Sequence, residues 1–533
     1  MSGRRDELAR HALARIPLIL TLQDRNPHSA NYGCFDRNYW HYRMLDFPSG
    51  MSQEFVYPLA LIHQLPLPGN PWRGSDAIRD WAVAGIHFAA RSAHRDGSCD
   101  DYFPFERAMG AAAFSLLACV EAARLLDVRD DLTLEFLRRR ADWLASHDEA
   151  GRLANHHALS VLGLTLSGRL LGTDRWKAPA ARRLRTLLDW QHDEGWFPEY
   201  DGCDPGYHTL TIGCLAALRE LEPGTAGLDD AIARAVALAA ELIHPDGSYG
   251  GEYGSRNTYN YFPHGFELAG ARLPEALRTN DCFVDGLAAG AGACYDDDHL
   301  VGHHTWSYLL AWRDWVADRP PQRSRPAGRT LYPGAGILVE RRGSTTLYAG
   351  LRKGGVFKLF RGGKLAASDT GPSLRARESG RVRTAVTHLE GGCAPEVDDD
   401  SLALSGAMAW ARESGMTPLR LIVLRVVMLS FGRFFPNLIR RMLQRMLIVG
   451  RRDAPFRYNR RLRWVGETLI VRDEITADSW RGVEAAGIGS AQTSVYVVMS
   501  RVYQAGQLGG WTDLTGAVRR LGAGEPLVVE RRL

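Results

Sequence analysis

The sequence predicts an α+β multidomain chain: an incomplete α/α toroid followed by an antiparallel β-sandwich. Three observations carry this. From about residue 75 to 316 apolar residues recur at i, i+3 and i+4, the spacing of a helix face. Across the same span a polar theme returns every roughly 45–55 residues, enough for two helices and their loops. Beyond residue 317 the pattern changes to short alternating or β-branched runs broken by turn residues.

The helical runs, in order, are "SDAIRDWAVAGIHFAARSA", "ERAMGAAAFSLLACVEAARLL", "LEFLRRRADWLAS", "NHHALSVLGLTLSGRLLG", "WKAPAARRLRTLLDWQHDE", "YHTLTIGCLAALREL" and "LDDAIARAVALAAELIH". Between them stand "DGSCDDYFPFE", "DEAGRLANHH", "DEGWFPEYDG" and "DGSYGGEYG". Repeated helical hairpins bury their apolar faces only against neighbours, and closing the array makes a toroid with every second loop at one mouth. Asp-Gly pairs would cap helices in any case. The interleaved Tyr, Trp and Phe suggest in addition a shared functional face.

The toroid is assigned residues 1–320, a Pro- and Arg-rich linker 321–330, and the sandwich 331–533. The β texture is carried by "TLYPGAGILVERRGSTTLYAGLR", "GGVFKLFRGGK", "TLIVRDEI", "TSVYVVMS" and "EPLVVERRL". Residues 416–452 interrupt it as a basic amphipathic helical insertion with eight arginines and no acid, which Pro436 divides into two helices. Such a segment can lie in a membrane interface against anionic lipid, or pack on the sandwich with its arginines in solvent. Both readings stand.

Composition narrows the function classes. With 533 residues, 45% hydrophobic, 24% charged and a net charge of +4, the chain reads as globular and carries no nucleic-acid-binding signature. Eight scattered cysteines without a CxxC pair point to free thiols. The N-terminus has an apolar stretch of about six residues, not a signal peptide. No run reaches the roughly 18 apolar residues of a membrane span. A cytoplasmic location is expected, peripheral to the inner membrane if the basic segment meets it.

The chemistry-bearing residues fall at helix starts. "DGCDPGYHTLTIG" places Tyr207 and His208 after a Pro-Gly turn. One repeat earlier "LANHHALS" offers Asn155, His156 and His157, and one repeat later "GGEYGSRNTYNYFPHGFE" offers Glu252, Tyr253, Arg256, Asn257, Tyr259 and His264. This set suits removal of the C5 proton of a uronic acid. Asn155 and His156 would neutralise the carboxylate as preorganised donors. Tyr207 would act as base and return the proton to the departing glycosidic oxygen. Arg256 would hold a second carboxylate or sulfate. His208, Glu252, Tyr253, Asn257 and Tyr259 would contact substrate, with Tyr102 and Trp196 stacking on sugar faces. Neither a metal nor another cofactor is required. His157 and the pair His303–His304 are expected to pack, and Asn155 and Glu106 could alternatively cap helices.

The motifs "ANHHAL" and "DGCDPGYHTLTIG", with the helical and β halves, resemble the heparinase II/III-like and alginate-lyase-like polysaccharide lyases. That resemblance implies the toroid-plus-sandwich fold and β-elimination on an acidic polysaccharide. It places Asn155, His156 and Tyr207 in the catalytic positions. The stretches "NYGCFDRNYWHYRMLDFPSGMSQEF" and "GEYGSRNTYNYFPHGFE" resemble a subgroup associated with bacterial exopolysaccharide clusters. Such lyases usually add a histidine from the β domain, and between 305 and 533 this chain has only His388, in "TAVTHLEGG". Either His388 or His264 is expected in that role, or the role is empty. The zinc that some relatives hold is not expected, because the β domain has no cluster of metal-ligating histidines.

Three rivals share the scaffold. A C5-epimerase begins with the same proton abstraction. A glycoside hydrolase would need two carboxylates, for which Asp100, Asp101, Asp201 and Asp204 are candidates. A non-catalytic glycan-binding or exopolysaccharide-assembly protein at the membrane is the third.

Overall fold

The computed structural model describes residues 3–149, 151–200, 202–295, 298–391, 393–411, 417–444, 451–489, 502–504 and 509–533. Helices α1 (Arg4–Leu22), α2 (Arg37–Trp40), α3 (Val56–Gln64), α4 (Asp76–Ser92), α5 (Met109–Leu125), α6 (Asp131–Ser146) and α7 (Ala154–Leu171) come first. Next are α8 (Lys177–Asp189), α9 (Pro205–Leu221), α10 (Leu228–Leu242), α11 (His264–Gly270), α12 (Pro274–Ala288) and α13 (Asp298–Arg313). Their apolar texture sorts them into two layers. Helix α5 buries every residue from Met109 to Ala123, whereas α8 buries only Ala180, Arg183, Leu184 and Leu187. A helix apolar all round belongs inside, and one with a single stripe belongs outside.

The inner ring runs α3, α5, α7, α9, α11, α13, each packed on the next, and α13 meets α3. Helix α1 packs on α12 and α13, so the N-terminal segment is part of the toroid. Loops entering the inner helices bond to one another. Gly50 N donates to Asp100 O, Leu153 bridges Glu199, and Ser255 N donates to Cys203 O. The inner helices therefore start at one common end, where short strands β1 (Pro198–Glu199) and β2 (Gly202–Cys203) pair. A second short strand pair is β3 (Cys294–Tyr295) with Val502–Tyr503.

The C-terminal half is two antiparallel sheets. A meander of β4 (Gly328–Tyr332), β5 (Ile337–Arg342), β6 (Thr345–Gly350), β7 (Val356–Arg361) and β8 (Lys364–Asp369) forms the first. The second has, among the described residues, nine strands, running from Thr512–Asp513 through Val483–Ile488, Pro372–Glu378, Arg381–Val386, Ser401–Trp410, Asp453–Val465 and Thr468–Thr476 to Leu527–Arg532, with Cys393–Val397 on its flank. Leu338, Leu347, Phe357 and Leu359 of the first sheet share one core with Leu404, Leu462 and Val471 of the second. The other face of the first sheet, Ile337, Val339, Tyr348 and Phe360, joins the toroid core. Covered on both faces, β5–β7 are buried along nearly their whole length, without the alternation of a strand covered on one face. Asp453–Val465, covered on one face, alternates exposed and buried throughout.

Strand β4 begins inside the expected 321–330 linker, because Gly328–Tyr332 pairs with Ile337–Arg341. The expected strand "TSVYVVMS" lies outside the described residues, as does Asp201. The described part of the 416–452 insertion is helix α14 (Pro418–Val427), a wider turn (Met428–Gly432) and helix α15 (Pro436–Gln444), and Pro436 starts the second helix.

Candidate active site

Asn155 sits in the first turn of α7, where backbone N–H groups lack intrahelical partners. Its side chain does not cap its own helix. Instead its backbone N and its Nδ2 both donate to Glu199 Oε1, at 3.0 and 2.7 Å. A carboxylate at a helix N-terminus is favoured by the dipole and the free donors. The other oxygen of Glu199 accepts from Arg256 Nη1 at 3.2 Å. The Arg256 guanidinium lies 4.3 Å from the Tyr207 ring centroid and 4.9 Å from that of Tyr200. Asn155, Glu199, Arg256 and Tyr207 thus form one buried chain of contacts.

Burial pushes the Glu199 carboxyl up, against the opposing pull of Arg256 and the Asn155 donors. Burial works against the Arg256 charge too. The Tyr207 and Tyr200 phenols and the Glu199 carboxylate outweigh it and hold the guanidinium above its ordinary value. Asn155 Oδ1 is buried without a hydrogen-bond partner among the described residues.

The Asp-Pro-Gly corner explains why a Tyr-His pair opens α9. Asp204 Oδ1 accepts the Tyr207 N–H at 3.0 Å as the N-cap, and Pro205 occupies the first helical position. Asp204 Oδ2 takes the N–H groups of Arg256 (3.2 Å) and Thr258 (3.4 Å), and Thr258 Oγ1 donates to Oδ1. One carboxylate therefore registers Tyr207 against Arg256. A Cβ at Gly206 would stand 2.2 Å from Thr258 Oγ1, so only glycine permits this approach. His208, one residue on, turns to the outer layer and donates from Nε2 to Ala235 O at 3.0 Å. Burial lowers its pKa to about 4.

His156, the next residue on α7, is held by other partners. Its Nδ1 pairs with buried Glu149, and its ring meets the edge of Phe114 on α5. His157 packs on Trp190, and His303 stacks on Phe114 while pairing with Glu54 at 2.6 Å. His304 stacks on Phe262 and Tyr295.

The loop before α11 is clamped by the β domain. Lys353, in the turn between β6 and β7, donates to Gly254 O at 2.9 Å and to Asn257 Oδ1. Asn257 itself has φ of 57°, a left-handed conformation that asparagine tolerates. Burial lowers the Lys353 ammonium to about 8, partly opposed by Glu390, Glu252 and Asp204. Lys358 pairs with Glu252 at 3.4 Å, Tyr259 donates to Glu252, and the Tyr253 hydroxyl bonds His244 Nε2 at 2.9 Å.

Of the expected site residues, Asn155, Tyr207 and Arg256 are brought together, with His156 beside Asn155 on the helix. Glu252, Tyr253, Asn257 and Tyr259 are engaged in the seam between the halves. His264 is tied to Asp314 at 2.8 Å, and burial lowers its pKa. His388 is buried against Thr370 O at 3.0 Å, and burial lowers its pKa to about 3. Trp196 is buried, stacked on His192 with Nε1 donating to Glu194. Tyr102 is exposed near the mouth.

Sequence reasoning missed Glu199, Glu149 and Lys353. Glu199 stands inside "FPEYDG", one of the repeated loops, and that placement was its signal. Lys353 had none, since "RKGG" reads as a plain turn. Asp100 and Asp101 are occupied as loop staples: Asp100 accepts from Phe105 N and Arg107 N, and Asp101 from Ser49 Oγ. Glu106 accepts from Asp101 N and Tyr102 N and does not cap α5. A cavity of about 270 Å³ lined by Arg278, Arg325, Arg341 and Tyr348 opens elsewhere in the seam between the halves, lined by none of the site residues above. Among the described residues no group of three or more His, Cys, Asp or Glu is placed to hold a metal ion.

No protein-family model matches the chain, and no curated protein matches it in sequence. Solved structures do. The chondroitin AC lyase of Streptomyces coelicolor A3, solved with chondroitin sulphate, superposes with a TM-score of 0.57 at 11% identity, covering 99% of this chain and 79% of that one. A Paenibacillus xanthan lyase superposes with a TM-score of 0.54 at 10% identity, covering 99% of this chain and 56% of that one. The chain has the fold of the α/α-toroid polysaccharide lyases.

Proposed function

We propose that this protein is a polysaccharide lyase that cleaves a uronate-containing exopolysaccharide by β-elimination. The observation that carries the reading is the Asn155–Glu199–Arg256–Tyr207 chain: two carboxylate-binding donors meet beside a phenol that a guanidinium covers. A cation over the ring favours the phenolate. In the reaction Tyr207 takes the C5 proton, the C4–C5 double bond forms, and the C4–O bond breaks. The proton on Tyr207 then goes to the leaving oxygen. Asn155 and Arg256, with His156 alongside, stabilise the charge that develops on the uronate.

Glu199 occupies those donors in the structure, so an incoming uronate competes with it for the same two partners. The fold likeness to a chondroitin lyase and a xanthan lyase supports an acidic polysaccharide substrate. The engagement of Asp100, Asp101 and Asp204 in loop and cap hydrogen bonds disfavours a hydrolase, which needs two free carboxylates. The exposed helices of the 416–452 segment favour a working place beside a membrane.

The test is ultraviolet detection of the new double bond across a panel of acidic polysaccharides, with Tyr207→Phe as control. The expected outcome is absorbance from at least one uronate polymer, abolished in the variant. Deuterium entering C5 without cleavage would assign the epimerase reaction instead. Binding without turnover, indifferent to Tyr207→Phe, would remove the enzymatic reading.

A further inference from the structure

Helices α14 and α15 depart from the rest of the surface in what they expose. Helix α14 buries no residue, and its Leu419, Leu421, Ile422, Val423 and Val426 are between 45% and 70% exposed. Leu429, Phe431, Phe434, Phe435, Leu438 and Met442 continue the exposed apolar surface along the turn and α15. Among the residues whose burial is described, Met428, Gly432 and Ile439 are turned inward. A soluble surface rarely carries so contiguous an apolar patch without an occupant. Among the described residues no helix is long and apolar enough to cross a membrane.

Charge selects the occupant. Between Pro418 and Gln444 the hairpin carries Arg420, Arg425, Arg433, Arg440 and Arg441 and no acid, whereas Arg451 and Arg452 farther on pair with Asp453 and Glu378. A second copy of the same face would bring like charge against like charge. An acidic glycan would answer the arginines and leave the leucines and phenylalanines wet. An anionic phospholipid surface satisfies both, taking apolar side chains into its acyl boundary and pairing guanidinium groups with phosphate.

The hairpin is also fastened to the toroid mouth. Arg425 pairs with Asp46 at 2.5 Å and lies 5.5 Å from the Phe47 ring. That loop continues to Ser49 and Gly50, which bond the Asp100–Asp101 rim. On the same loop Tyr42 and Met44 are exposed.

We infer that α14 and α15, together with Tyr42 and Met44 of the rim loop, form a docking surface for the anionic phospholipid face of a membrane. The surface lies in the interface without spanning it, and it holds the rim of the proposed site against the lipid. The inference deepens the membrane-side part of the proposed function and rests on that part alone, independent of the elimination chemistry.

The experiment is flotation of the full-length protein with phosphatidylcholine vesicles, with and without phosphatidylglycerol. The protein is expected to float with the mixed vesicles, less so as salt is raised, and to stay behind with phosphatidylcholine alone. Ile422→Asp with Val426→Asp should abolish flotation. Arg420→Ser with Arg433→Ser should weaken it roughly tenfold to thirtyfold at unchanged thermal midpoint. Absence of wild-type flotation, equal flotation on both vesicles, or indifference to both variant pairs overturns the inference. So does a dimer in sedimentation that the aspartate pair converts to monomer, which would assign the face to a second copy. Flotation without elimination removes only the lyase reading; elimination without flotation removes only the docking surface.

Discussion

The two functional proposals sit on opposite departures from the usual sorting of residues. Around Tyr207, charged groups are inside: Glu199 and Arg256 are 1% and 7% exposed. On the α14–α15 hairpin, apolar groups are outside, with Leu419 at 70%. A buried charge is tolerated only when paired, and an exposed apolar face adds little to the fold. The contrast teaches where stability and where recognition reside. Disturbing the first region should cost folding energy as well as activity, whereas disturbing the second should cost only an interaction.

The largest effect is expected at Arg256. Arg256→Ala leaves Glu199 buried without its counter-charge, and denaturant unfolding should show a loss of about 3–5 kcal/mol. Adding Glu199→Gln should recover much of that stability, because a neutral amide can stay on the Asn155 donors. Elimination activity should not return, since the guanidinium over Tyr207 is still missing. A double variant no more stable than Arg256→Ala would break the pairing argument.

Lys353 comes next. Its pKa in the folded protein, about 8, lies below the ordinary 10.5, so folding favours the neutral amine. The stability it contributes is complete above the unfolded value and is lost as pH falls through about 8, a swing of about 3 kcal/mol at most. Thermal midpoints measured from pH 7 to 9 should rise for the wild type and rise less for Lys353→Met. Identical slopes would show that the clamp on Gly254 and Asn257 does not titrate.

The smallest effect belongs to the hairpin. Leu419→Ser and Val426→Ser should each change unfolding free energy by less than about 0.5 kcal/mol. Leu359→Ala, in the core between the two sheets, should cost about 2–5 kcal/mol. Comparable losses at the two places would show that the hairpin face is part of the packed core.

Much of the architecture was legible. Inner helices declared themselves by apolar runs such as "AMGAAAFSLLACVEAA", and the Asp-Pro-Gly corner announced a capped helix with Tyr207 in its first turn. The partnerships were not legible. Glu252 and Tyr259 were expected at the substrate, yet they meet each other and Lys358 from the other half. His388 looked like a candidate helper, but its ring is buried against Thr370 O.

By itself the sequence determined the period of each segment, the repeat that brings every second loop to one mouth, and the helix starts that carry Asn155 and Tyr207. These follow from local rules, since spacing along a chain dictates which residues share a face. Only the tertiary structure decided that Glu199 would occupy Asn155 and Arg256, that Lys353 would reach across the seam, and that α14 would remain uncovered. Those outcomes depend on which segments far apart in sequence come to lie within hydrogen-bond reach, and on how burial then reprices each charge. No local pattern encodes either.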